Sequence, residues 1–163
     1  MRRVFGMTGQ GLISILHGFG LGFSLLLVLA ASLGVWGVNP GSRALARLLC
    51  AAATLAWAAC MVGSFVVYPW YRDKSPESAK NSLVAKAETK AWHEFGMEWK
   101  EHAAWLAPFL LAPAAFIAKT YREELAVRAE IRRMVGALTL AAFAAAAIAG
   151  ILGALIARVE AVQ

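Results

Sequence analysis

Residues 134–157, MVGALTLAAFAAAAIAGILGALIA, run for 24 positions between Arg133 and Arg158 without a charged side chain. A helix needs roughly 20 apolar residues to cross the hydrocarbon of a bilayer, with ~17 the practical minimum. Backbone polar groups left unpaired in lipid are costly, so a stretch of this kind crosses as a helix. Working outward, the same signal recurs. Residues 48–71 give 24 uncharged positions between Arg47 and Arg72, and residues 102–118 give 17 between Glu101 and Lys119. Before them, the stretch 11–36 lies between Arg3 and Arg43. The sequence therefore predicts an all-α, integral membrane four-helix bundle in a single domain covering residues 1–163.

Composition agrees. Hydrophobic residues make up 60% of the 163 and charged residues 16%, against ~45–50% and ~25% in soluble domains. Mean hydropathy is +0.61. These values exclude a disordered chain, a coiled coil and an ordinary soluble enzyme. The net charge of +6 is what basic flanks and anionic lipid produce in a membrane protein, and no nucleic-acid partner is expected. The bilayer is the first partner, in a multi-pass arrangement in a bacterial cytoplasmic membrane. Arg2 and Arg3 ahead of an apolar run resemble a signal peptide. The run is longer than a signal core and lacks a small-x-small cleavage site, so it reads as a retained span.

The connections set the topology. Gly37-Val38-Asn39-Pro40-Gly41-Ser42 is short and rich in turn formers, making helices 1 and 2 an antiparallel hairpin. The connection 72–101 holds six basic and six acidic residues. Within it Ser75-Pro76-Glu77 resembles a helix start, and Val84, Ala87, Ala91 and Phe95 recur at helical spacing. That pattern predicts an amphipathic interfacial helix over about 76–95, between helices 2 and 3. Thr120-x-x-Glu123 matches a capping box and predicts that helix 4 begins there. Pro108 and Pro113 predict a kinked third span. The face with the N-terminus, the 72–101 connection and the C-terminus carries nine Lys/Arg and the other face seven, packed into shorter loops. On that density the 119–133 loop reads as cytoplasmic, although Arg2 and Arg3 argue the other way.

Three histidines carry the functional signal. Threading four alternating spans places His17, His93 and His102 near one membrane face. An imidazole inside a bilayer is expensive and usually serves a function. Two neutral imidazoles from different helices at similar depth ligate a haem iron axially, which nominates His17 and His102, with His93 as the alternative ligand. Gly18 and Gly22 clear one face beside His17, for a macrocycle or simply for close helix packing. Glu98, one turn before His102, is placed to hydrogen-bond its second ring nitrogen. Arg72 and Lys100 lie at the same boundary, where they neutralise haem propionates, meet a quinone head group or snorkel to lipid phosphate. Tyr68, Trp70, Tyr71, Trp92, Trp99 and Trp105 form an interfacial aromatic belt. Cys50 and Cys60, ten apart in one helix, share no face and make no metal pair. No acid or base lies deep in a span, which argues against a proton-coupled transporter.

This arrangement, His17 with Gly18, Gly20 and Gly22 in helix 1 and His102 opening helix 3, resembles small four-helix membrane cytochromes b and the haem-carrying membrane anchor subunits of respiratory complexes. It departs from two-haem families in having no histidine near the opposite face. The resemblance implies at most one haem b and a role in electron transport, exchanging electrons with a quinone or with other membrane or redox subunits. Two further readings stand beside it. One is a cofactor-free accessory or assembly subunit of a larger membrane complex; the other is copper held by His93, Met97 and His102.

Overall fold

The computed structural model describes residues 9–76 and 78–161, all of whose regular elements are helical. Arg2, Arg3 and Glu77 lie outside the described residues. Four helices are long and apolar enough to cross a membrane: α1 (Gly11–Val38), α2 (Arg43–Tyr71), α4 (Ala87–Thr120) and α6 (Ala129–Ala161). Two short helices, α3 (Ala79–Val84) and α5 (Arg122–Val127), lie in the connections.

The bundle is built around α4, which packs along both α6 and α2, while α1 sits against α2 and α6. Side chains spaced three and four apart set these contacts. Leu45, Leu49, Ala52 and Ala56 form the inner stripe of α2, and Ala107, Leu111, Ala115 and Ala118 that of α4. Lipid tails are as apolar as leucine, so small side chains that let backbones approach take over the role of a hydrophobic core. The hydroxyls caught inside bond to their own helices. Ser32 donates to the Val28 carbonyl at 2.7 Å and Thr139 to the Val135 carbonyl at 2.8 Å, which satisfies them where no water can.

The four predicted spans lie inside the four long helices, and each helix extends past its predicted span. The connections are less regular than predicted. No single helix fills 76–95, because Lys86 is extended (φ −116°, ψ 134°) and divides α3 from α4. Helix α3 starts at Ser78, whose hydroxyl accepts from the Asn81 N–H, rather than at Ser75. The stripe Val84, Ala87, Ala91 and Phe95 faces outward, while Ala79, Leu83 and Met97 are buried against Tyr71 and Ile156. Thr120 closes α4 instead of capping α6, since the break falls at Tyr121. A second break at the extended Arg128 delays α6 to Ala129.

Helix α4 runs through both Pro108 and Pro113. Proline at 108 removes the bond to the Ala104 carbonyl, and the Cys60 thiol of α2 donates to that same carbonyl at 3.4 Å. The cysteine replaces the bond that the proline deleted.

At the end formed by the 37–42 turn, the packing is close. The Trp36 indole N–H donates to the Arg132 carbonyl at 3.0 Å, and its ring lies on Gly136 so tightly that a methyl group there meets the indole. Gly41 likewise sits on α5, where a methyl group stands 2.8 Å from the Ala126 side chain. The 37–42 turn and the 119–133 connection are therefore one packed end.

Candidate functional site

The opposite end is irregular. Three π-helical turns occur there, at Leu16–Phe23 in α1, Gly63–Val67 in α2 and Trp92–Met97 in α4. Such turns break the i to i−4 ladder and are frequent at functional sites. His17 lies on the first of them and points at the start of the second. A methyl group on Gly63 stands 3.0 Å from the His17 ring carbon Cε1 and 3.3 Å from Nε2. The absence of a side chain at 63 is what lets the ring sit between α1 and α2.

Lys100 comes in from α4. Its aliphatic stem lies over Gly153 of α6, with 3.4 Å from Cε to the place of a methyl group there. Its Nζ is 3.8 Å from the buried Met97 sulfur, and its charge acts on the His17 imidazole. Two glycines on two helices thus make space for one imidazole and one ammonium from the other two. His17 of α1 is thereby seated against α2, and Lys100 of α4 against α6.

Two polar atoms on α1 are buried and unpartnered among the described residues: His17 Nδ1 and Ser14 Oγ, three residues apart. An unsatisfied polar atom in a low-dielectric interior costs on the order of 1–3 kcal/mol. Ser14, Gly63 and Gly153 were not singled out by sequence. Ser14 was legible as the residue one turn before His17, whereas the glycines become visible only through their neighbours on other helices.

His102 has different surroundings. It is exposed, on the outward stripe of α4 with Glu98, Leu106 and Phe109. Its Nδ1–H donates to the Glu98 backbone carbonyl at 2.7 Å, so Glu98 contributes its main chain to this bond. A haem gripped by both imidazoles of one chain does not fit this arrangement, because His17 faces inward onto Gly63 and His102 faces away from the bundle. Gly18 and Gly22 carry no close packing from another helix. A methyl group on Gly18 meets nothing within 4 Å, and one on Gly22 meets only the His17 carbonyl.

The remaining candidates gather around the end of α2. The Tyr71 hydroxyl and His93 Nδ1 are hydrogen-bonded at 2.9 Å, joining the end of α2 to α4. Arg72 donates to the Tyr68 hydroxyl at 2.9 Å and lies over its ring. Met97 is buried beside Lys100, His93 is held by Tyr71 and His102 is outside, so these three do not converge. Among the described residues no group of three His, Cys, Asp or Glu is placed to hold a metal ion. No family model matches the sequence, and no curated protein or solved structure matches it.

Proposed function

We propose that this chain is a membrane subunit of an electron-transfer system, and that Ser14, His17 and Lys100 receive the head group of a membrane quinone. The observation that carries this reading is the pair of unpartnered polar atoms, His17 Nδ1 and Ser14 Oγ, inside the bundle beside Lys100. A quinone brings carbonyl oxygens that accept hydrogen bonds and a tail that stays in lipid. His17 and Ser14 supply donors to a carbonyl, and the Lys100 ammonium favours the negative charge that an oxygen gains on reduction. In the same reading the outward stripe of 84–95 lies along the membrane surface, and the end carrying the 119–133 connection is cytoplasmic.

The test is titration of a short-tailed quinone, decylubiquinone or a menaquinone analogue, into the full chain in detergent micelles. Saturable binding is expected. His17→Ala and Lys100→Met each weaken it at least about tenfold, the size of a lost hydrogen bond to a charged or buried partner. Lys74→Ala, on the exposed connection, leaves it unchanged. Absence of saturable binding, or equal binding by all variants, refutes the proposal.

A second reading, electron transfer through one haem b, is favoured by the His102 hydrogen bond. With Nδ1 held by the Glu98 carbonyl, the Nε2 lone pair is presented outward as a ligand, for a haem shared with a partner subunit. A dithionite-reduced spectrum of the chain purified with its partners shows haem b bands on this reading, and His102→Ala removes them. Neither quinone binding nor haem would leave the accessory role, docking through the flank of Phe95, Trp99, Leu106 and Phe109.

A further inference from the structure

At the packed end, an apolar groove opens between the last turn of α1 and the first turn of α2. Gly34, Val35, Val38, Asn39, Ser42 and Ala44 line it, and its volume is about 420 Å³. The groove is shallow and open, mostly apolar through Val35, Val38 and Ala44, with Asn39 and Ser42 as its polar members. A side chain at Gly34 would meet nothing within 4 Å, so the space beside that glycine is open.

The charge beside the groove is basic in excess. Arg43 and Arg47, both exposed, stand one turn apart on α2, and residues 34–47 contain no acid. Because Gly41 packs on Arg122 and Ala126, the 119–133 connection adds its charges to the same end, giving seven Lys/Arg against three Glu. The other connection, 72–101, is balanced at six against six. An apolar groove with a basic rim at the level of the helix ends matches an amphiphile with an anionic head.

We propose that this groove binds one anionic phospholipid, an acyl chain lying along Gly34, Val35 and Val38 and the phosphate held by Arg43 and Arg47. Free phosphate lacks the chain that the groove would take, and a zwitterionic lipid lacks the net charge. This site is independent of the quinone reading, being at the opposite end of the bundle.

Native mass spectrometry of the full chain, exchanged into micelles containing phosphatidylglycerol or phosphatidylcholine, tests it. One phosphatidylglycerol is retained in preference to phosphatidylcholine. Arg43→Gln and Arg47→Gln each reduce retention about fivefold, the usual worth of one basic residue at a lipid surface. Gly34→Leu fills the groove without touching a charge and reduces retention as well, while Lys74→Ala has no effect. Equal retention of the two lipids overturns the proposal, and so does retention that Gly34→Leu leaves unchanged. Displacement of the lipid by inorganic phosphate alone also overturns it, since that would make the site an anion patch without a groove. Thermal unfolding of each variant in detergent confirms that the protein compared is folded.

Discussion

The two ends of the bundle use the same device to opposite effect. At one end an aromatic ring from α1 lies on Gly136 of α6; at the other an imidazole from α1 lies on Gly63 of α2. The Trp36 ring is pinned by its hydrogen bond to Arg132 and belongs to a regular helix. The His17 ring lies on a π-helical turn with Nδ1 unpartnered. A ring on a glycine is therefore a lock where its polar atom is satisfied, and a ring free to turn where its polar atom is not. The comparison also shows where this fold places its irregularity: all three π-helical turns are at the His17 end.

Gly136→Ala should give the largest effect on stability. The added methyl has no free volume, and the ring it meets is tied down, so overpacking of about 1–3 kcal/mol is expected. Trp36→Phe comes next, at roughly 1 kcal/mol for the lost bond and the Arg132 carbonyl left without its donor. Both are measured by reversible unfolding in mixed micelles. If Gly136→Ala were neutral, the lock would not exist and the two ends would differ only in shape.

Gly63→Ala sharpens the contrast. The neighbour there is the far end of a side chain with no bond to hold it, so the imidazole can rotate away by the few tenths of an ångström required. A stability change below about 1 kcal/mol is expected, together with weaker quinone binding on the proposed reading, because the ring and its Nδ1 are displaced. A stability loss as large as that of Gly136→Ala would place His17 among the structural residues.

Cys60→Ala probes the stretch between the ends. It removes the thiol that meets the Ala104 carbonyl freed by Pro108, and about 1 kcal/mol is expected. The sequence announced the proline and its orphaned carbonyl, and it announced that Cys50 and Cys60 share no face. It did not announce that one cysteine answers the other helix's proline, because that pairing depends on how α2 and α4 are set against each other. The same distinction runs through the molecule. Long uncharged runs are a local property, and they located the four long helices. Lys86 and Arg128 broke the predicted connecting helices through backbone conformations that no residue-type pattern marks.

The site was legible to the same degree. His17 and Lys100 stood out as polar residues in or beside spans, and both pack on a glycine of a neighbouring helix. Their partners, Gly63 and Gly153, are only two of 14 glycines in the sequence, and nothing local separates them from Gly18 or Gly22. His102 was nominated as the partner of His17 by its depth in the membrane. Depth fixes how far along a helix a residue sits, but rotation about the helix axis decides what it meets.

That difference makes His102→Ala the smallest effect expected. Its ring is exposed, and its hydrogen bond is to its own helix, so removing it leaves the Glu98 carbonyl where lipid head groups or water can reach it. A stability change within about 0.5 kcal/mol is expected, with the quinone binding proposed at His17 unchanged. The parallel measurement on His17→Ala separates the two imidazoles, since its loss should weaken the ligand while relieving the cost of a buried unpaired nitrogen. Should His102→Ala weaken binding as much as His17→Ala, the two histidines would act on one ligand. The outward placement of His102 would then mean that the ligand reaches around α4 instead of lying between the helices.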